Sequence, residues 1–261
     1  MMTQKQLIEQ LDTFKAAQGK PVMVHSSMKA IGEVEGGAEG LLSVLIEFFR
    51  QNGGLLCVPT HTWALPALDL TRPETCIGIL PSVAAAHPDA VRTLHPTHSI
   101  AVFGDKKQAE AFAAPEAMVD IPVSPKGSYG KLCEEDGYVL LIGVGHDKNT
   151  FLHCAEEMLH VPNRLTKHKE ACTIIHKNGA KEIRKIHLFN EEEFLDVSVY
   201  FGKYEPAFRY HGCIQDGKIG QADAQLCSAR KMKAVMELIR KRSQGRELLA
   251  DASPLPDVLY R

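Results

Sequence analysis

The sequence has little that would tie it to a nucleic acid, a membrane or an oxidising compartment. Its 30 basic and 32 acidic side chains leave a net charge of −2, and without a long block of one sign there is no electrostatic footprint for nucleic acid or an anionic membrane surface. No window approaches the roughly 20 apolar residues that span a bilayer, and the opening "MMTQKQLIEQ" has no apolar stretch of the signal-peptide kind. A cytoplasmic location and a small or local partner are the expectations. The seven cysteines form an odd set with no C-x-x-C pair, which argues against a disulfide framework and a structural zinc site. They read as small buried hydrophobes. Repeats, low-complexity tracts and linker-like breaks are also missing.

What is present is an ordinary globular composition, 44% hydrophobic over 261 residues, enough to bury a real core. Thr3 with Gln6 makes a capping box, and Leu7, Ile8, Leu11 and Phe14 form one stripe, so a helix is predicted over 3–18. A strand in "VMVH" follows. The next segment, "GGAEGLLSVLIEFFRQNGG", is helical in length and apolar almost all round from 41 to 49, which predicts a helix sandwiched between layers or held in an interface. "LLCVP" and "YVLLI" read as central strands covered on both faces. Asn178 and Gly179 lie between β-rich runs and predict a hairpin. A helix over about 222–242 and a polar, proline-containing tail over 244–261 close the chain. The simplest reading is one α/β domain, 1–261, with a mixed central sheet flanked by helices.

The chemistry-bearing segment is "NTFLHCAEEMLHVPNR" (149–164), which follows the apolar run ending in "VLLIGVG". On a helix starting near Thr150, His153 can touch Glu156 and Glu157, and His160 can reach both glutamates from the next turn. Helical zinc motifs need two histidines four apart or a histidine directly after the glutamate, whereas His153 and His160 are seven apart. No metal is expected. Cys154 points about 100° away from His153 and would need another base to become a nucleophile. The remaining reading is His153 as a general base oriented by Glu156 or Glu157, set against the bland alternative of an exposed helix with incidental ion pairs. Position favours function, because open α/β sheets bind ligands at the carboxyl ends of their strands. Gly143 and Gly145 lack the third glycine of a dinucleotide fingerprint.

Two loops carry further candidates. "VHSSMKAIG" (24–32) runs from a strand into Ser26, Ser27, Lys29 and Gly32, the ingredients of an anion-binding loop, although two serines after a strand are commonly a cap or turn. "RTLHPTHS" (92–99) places Arg92, His95, His98 and Ser99 around a proline. His61 and His95 mean little separately; together they suggest a polar cleft.

The segments "VHSSMKAIG", "GGLLCVPTHTW", "RTLHPTHSIAVFG", "SPKGSYGKL", "VLLIGVGHDKNTFLHCAEE" and "GKIGQADAQL", in this order over most of the chain, resemble those of the aminoglycoside 3-N-acetyltransferase family. The resemblance implies a single α/β domain of that family's own fold, with acetyl-coenzyme A as co-substrate in a cleft built partly from strand-end loops. It puts the catalytic histidine at His153 and its glutamate at Glu156, and makes Ser26, Ser27, Lys29, Gly32, Arg92 and Ser99 the cofactor side. Glu157, Asp196 and Glu205 are the candidate contacts to the amine. Cys154 stands where many members have an aromatic residue, and the acidic stretch is reduced to "EEEFLDVSVYFGKYEPAF". Two other readings remain at this point, a metal-dependent hydrolase using His25, His61, His95 or His153, and a coenzyme A-binding protein without transferase activity. The apolar 41–49 helix leaves a homo-oligomer open.

Overall fold

The computed structural model describes residues 1–190 and 196–261. Its strands are β1 (Pro21–Ser26), β2 (Leu55–Pro59), β3 (Ala67–Asp69), β4 (Val91–Arg92), β5 (Ile100–Phe103), β6 (Tyr138–Ile142), β7 (Glu170–Ile175), β8 (Lys181–Ile186), β9 (Ile214–Ile219) and β10 (Ala222–Ser228). Seven make one mixed sheet in the order β4-β5-β2-β1-β6-β10-β9. At its centre β1 runs parallel to both β2 and β6, and the outer strands pair antiparallel. The other three form a small sheet, β3-β7-β8.

Helices α1 (Gln4–Leu11), α2 (Met28–Ile31), α3 (Gly37–Gln51) and α4 (Ile79–Ala86) belong to the first third of the chain; α5 (Lys106–Ala113), α6 (Ser128–Glu134), α7 (Phe151–Met158), α8 (Glu205–Tyr210) and α9 (Ala229–Arg242) follow. Successive strand residues face opposite sides of a sheet, and the central strands are apolar at nearly every position. Val22, Val24, Leu56, Val58, Leu140 and Ile142 therefore pack on one face with α1, α3 and α4. Met23, Leu55, Cys57, Val139 and Leu141 pack on the other with α5 through α9. The result is the expected layered arrangement with a mixed sheet in the middle. Along 41–49 only Ser43 and Glu47 of α3 are exposed, which explains the nearly unbroken apolar run.

Several boundaries differ from the sequence reading. The first helix ends at Leu11 rather than near 18: Asp12 and Thr13 turn the chain, Thr13 Oγ1 donating to Gln10 O at 2.7 Å, and Phe14 is still buried. The predicted helix over 222–242 is two elements. Ala222, Ala224 and Leu226 alternate onto one sheet face as β10, and α9 starts only at Ala229, with Ser228 Oγ accepting from Lys231 N. Pairing of β10 with both β6 and β9 outweighs a local composition that suits a helix equally well. The hairpin is present as β7 and β8, in the small sheet rather than the main one. The tail is less polar in structure than in sequence, since Leu249, Leu255, Leu259 and Tyr260 are buried against the α9 side of the core. No helix among the described residues is long and apolar enough to cross a membrane.

Candidate active site

The parallel strands β1, β2 and β6 deliver their carboxyl ends to one cavity of about 760 Å³, within the usual range for small-molecule sites. From β1 come His25 and Ser26, from the loop after β2 His61 and Trp63, and from the segment after β6 Asn149, Thr150 and His153. The small sheet adds Ala171, Cys172 and Thr173 of β7 to the lining, and Phe189, after β8, adds an aromatic ring. Gly143 makes the exit from β6 possible: its φ is +64° and a Cβ there would collide with Ala30, so the chain can swing directly from the sheet into the loop before α7.

His153 lies in the first turn of α7, 9% exposed, with its ring 4.4 Å from that of Phe189 and 4.7 Å from that of Phe201. Its Nδ1 faces Glu156 Oε2 at 3.6 Å, long for a hydrogen bond but close enough to attract an imidazolium. Nε2 is the ring nitrogen not turned toward the carboxylate. Glu156 is 1% exposed and its other oxygen accepts from Arg164 Nε at 2.8 Å. Arg164, also buried, reaches on to Glu247 in the C-terminal segment at 2.8 and 3.1 Å.

The other cavity histidines are held neutral. Burial lowers His25 to about 4. Burial, reinforced by neighbouring imidazoles, also pushes His61 and His98 well below the usual histidine range. His61 Nε2 shares a 2.9 Å hydrogen bond with the buried Tyr129 hydroxyl, and the His61 and His98 rings are 4.5 Å apart. His95 plays a different part. It is fully buried, lowered by that burial to about 3, and its Nδ1 accepts from the backbone of Thr97 and His98, holding the turn.

Of the sequence candidates, the structure brings together His153, Glu156, Ser26 and Asp196. Ser26 Oγ and His25 Nε2 have no hydrogen-bond partner among the described residues, so the cavity presents buried polar atoms that a polar ligand could satisfy. Ser27 is the cap of α2, its Oγ accepting from Ala30 N, Gly32 ends that helix with φ +80°, and Lys29 is exposed; none of the three lines the cavity. Arg92 and Ser99 also lie outside it. Arg92 donates to Ser99 Oγ at 2.7 Å and Ser99 Oγ to Thr60 O at 2.7 Å, bracing the strand end next to His61. Asp196 lines the cavity while accepting from Ser198 N. Glu157 is half-buried on the flank of α7, its carboxyl raised by burial and by Glu156. Glu205 pairs with Arg209 at 2.8 Å, away from the cavity lining. The start of the acidic stretch, Glu191 to Glu193, lies outside the described residues.

His160 is exposed beyond the end of α7 with φ +50°, so the two-turn face shared by both histidines is not formed. Cys154 is buried in the core, which raises its thiol well above the usual range and leaves it in its un-nucleophilic form. Among the described residues no group of three or more His, Cys, Asp and Glu side chains is arranged to hold a metal ion. The sequence reading passed over Trp63, which lines the cavity, and Arg164, Tyr129 and Glu247, whose roles depend on pairings that no spacing rule predicts.

Residues 23–239 match the family profile described as aminoglycoside 3-N-acetyltransferase. The chain belongs to this family. Aminoglycoside N(3)-acetyltransferase IV of Salmonella sp is 30% identical to this family member over 234 residues, covering 88% of this chain and 84% of the relative. The crystal structure of aminoglycoside acetyltransferase AAC(3)-IVa, in a histidine-to-alanine variant complexed with a gentamicin, superposes with a TM-score of 0.77 at 28% identity, covering 96% of each chain. The binary complex of AAC-IIIb with CoASH shares the fold, with a TM-score of 0.77 at 23% identity over 92% of this chain and 97% of that one.

Proposed function

We propose that this family member transfers the acetyl group of acetyl-coenzyme A to an amine, the 3-amino group of an aminoglycoside's 2-deoxystreptamine ring being the first acceptor to test. The observation that carries the reading is a cavity at the strand ends into which His153 projects, backed by a buried carboxylate. Related proteins with the same fold bind a gentamicin and CoASH, which supports the pairing of donor and acceptor.

An amine resembling lysine, with a pKa of roughly 10, reaches the site as an ammonium and has no lone pair for attack on a thioester. His153 Nε2 takes that proton. Glu156 orients the ring through Nδ1 and favours the imidazolium that forms. The nitrogen then attacks the acetyl carbonyl in a ternary complex. As the tetrahedral intermediate collapses the C–S bond breaks, the second proton lost by the nitrogen goes to the sulfur, which leaves as the thiol of coenzyme A, and His153 later returns the first proton to solvent. Ser26 Oγ, without a partner among the described residues, is the donor we assign to the developing oxyanion.

Replacing the base tests this. His153→Ala should lower kcat by about 10²–10⁴ in a thiol-release assay with a panel of aminoglycosides and small amines, with acetyl-coenzyme A binding retained by calorimetry. Wild-type turnover by the variant would remove His153 from the mechanism. Dialysis against a chelator in the same assay separates this reading from a metal-dependent hydrolase, which would lose activity with its metal.

A further inference from the structure

Arg164 sits between two cavities. It lines the large one with His153, and it also lines a second, about 140 Å³, on the other side of Glu156, formed by the end of α7, α9 and the tail that follows it. Glu247, in that tail, lines only the second. Its carboxylate holds Arg164 at 2.8 Å while Arg164 Nε holds Glu156 at 2.8 Å, and the other Glu156 oxygen faces His153 Nδ1. Arg164 is 6% exposed and Glu156 1%, so these charges are little screened by water. Two backbone contacts hold the tail beside this pair: Lys203 Nζ donates to Leu248 O and to Asp251 O. The Glu247 carboxylate also accepts from Leu249 N at 2.7 Å, fixing its rotamer.

We propose that Glu247 is a positioning residue for the catalytic pair, acting through Arg164 on Glu156 and so on His153, and that the C-terminal segment is part of the acetyl-transfer machinery although it touches no substrate. This rests on the reading of His153 as the base. Arg164 beside Glu156 serves two opposed ends. It fixes the carboxylate, and its positive charge opposes protonation of the imidazole one turn away. Glu247 offsets that charge, leaving Glu156 oriented without its field at His153 being cancelled. Among the described residues, the charged and titratable groups facing this pair include His153 and Glu157 on α7, Tyr204 from the segment before α8, Arg240 on α9, and Arg246 and Glu247 in the tail. Across the large cavity, His61 and His98 face His153.

Glu247→Gln removes the charge and keeps the shape, whereas Glu247→Asp keeps the charge. With less negative charge around Arg164 the imidazolium is less favoured. The glutamine variant should therefore show kcat lower by roughly tenfold and an acid limb of the kcat/KM profile moved about half a pH unit to lower pH. KM values for acetyl-coenzyme A and amine should be unchanged, because Glu247 does not line the substrate cavity. Glu247→Asp should return the limb to its wild-type position. An unmoved acid limb in Glu247→Gln, or a loss of kcat and melting temperature shared equally by both variants, overturns the assignment. His153→Ala in the same series separates the two claims: full activity there defeats the base itself, while an inactive His153→Ala beside a wild-type Glu247→Gln defeats only the positioning role.

Discussion

The His61 to Tyr129 hydrogen bond shows how much of the site is held by single buried polar pairs. Both groups are buried and neutral, and their 2.9 Å contact fixes the His61 ring at the cavity wall. Tyr129→Phe leaves the imidazole nitrogen without its partner at little cost in packing, so it should destabilise by about 1–3 kcal/mol, measured by urea unfolding; a change below a few tenths would mean that water replaces the hydroxyl. The same scale explains what the sequence could show. His153 and Glu156 were legible because three residues on a helix is a fixed distance. Arg164, eight residues past Glu156 and beyond the helix, and Glu247, 83 residues further on, carry no spacing rule; only the packing of the tail against α9 brings them together. Ser27 had two readings from sequence, and the cap is the one whose geometry is present.

At the scale of elements, position along the chain was easier to read than the type of element. The strands "LLCVP" and "YVLLI" and the buried helix over 41–49 follow from hydrophobic patterning alone, because burial on two faces leaves a continuous apolar run. The stretch from 222 to 228 has small and mixed side chains whose alternation becomes visible only when β6 supplies a partner. The turn out of β6 is the element-level device on which the site depends. Gly143 combines φ +64° with a close approach to Ala30 in α2, so Gly143→Ala must shift either the loop before α7 or the α2 turn that follows Ser26. Destabilisation of roughly 1–3 kcal/mol is expected, together with a loss of kcat, since both sides of the cavity hinge on that join. A variant as active and as resistant to urea as the wild type would show that the loop is free to move without affecting His153.

For the whole molecule, the concentration of neutral histidines sets how the fold meets acid. His25 and His146 are lowered to about 4 and His95 to about 3, all by burial, and His61 and His98 are pushed down as well. In the unfolded chain each returns to about 6.5. Between the folded and unfolded values the unfolded chain binds more protons, so stability falls as pH drops below about 6.5. At pH 5 His25, His95 and His146 each cost about 2 kcal/mol, and His61 and His98 act in the same direction. Glu116 works in the opposite sense. Burial raises it to about 7, the folded state takes its proton first, and it contributes stability that grows as pH falls from 7 toward its unfolded value, offsetting little more than one histidine. The balance is a net loss that takes up a sizeable part of the margin of a typical fold, about 5–15 kcal/mol. The melting temperature should therefore decline steadily from about pH 6.5 to about 5, with cooperative unfolding near the lower end, and calorimetric scans across that range check it. A flat melting temperature over the same range would mean that the cavity histidines take up protons in place, with water or counter-ions reaching them, and that the interior around His25, His61 and His98 is far less dry than its packing implies.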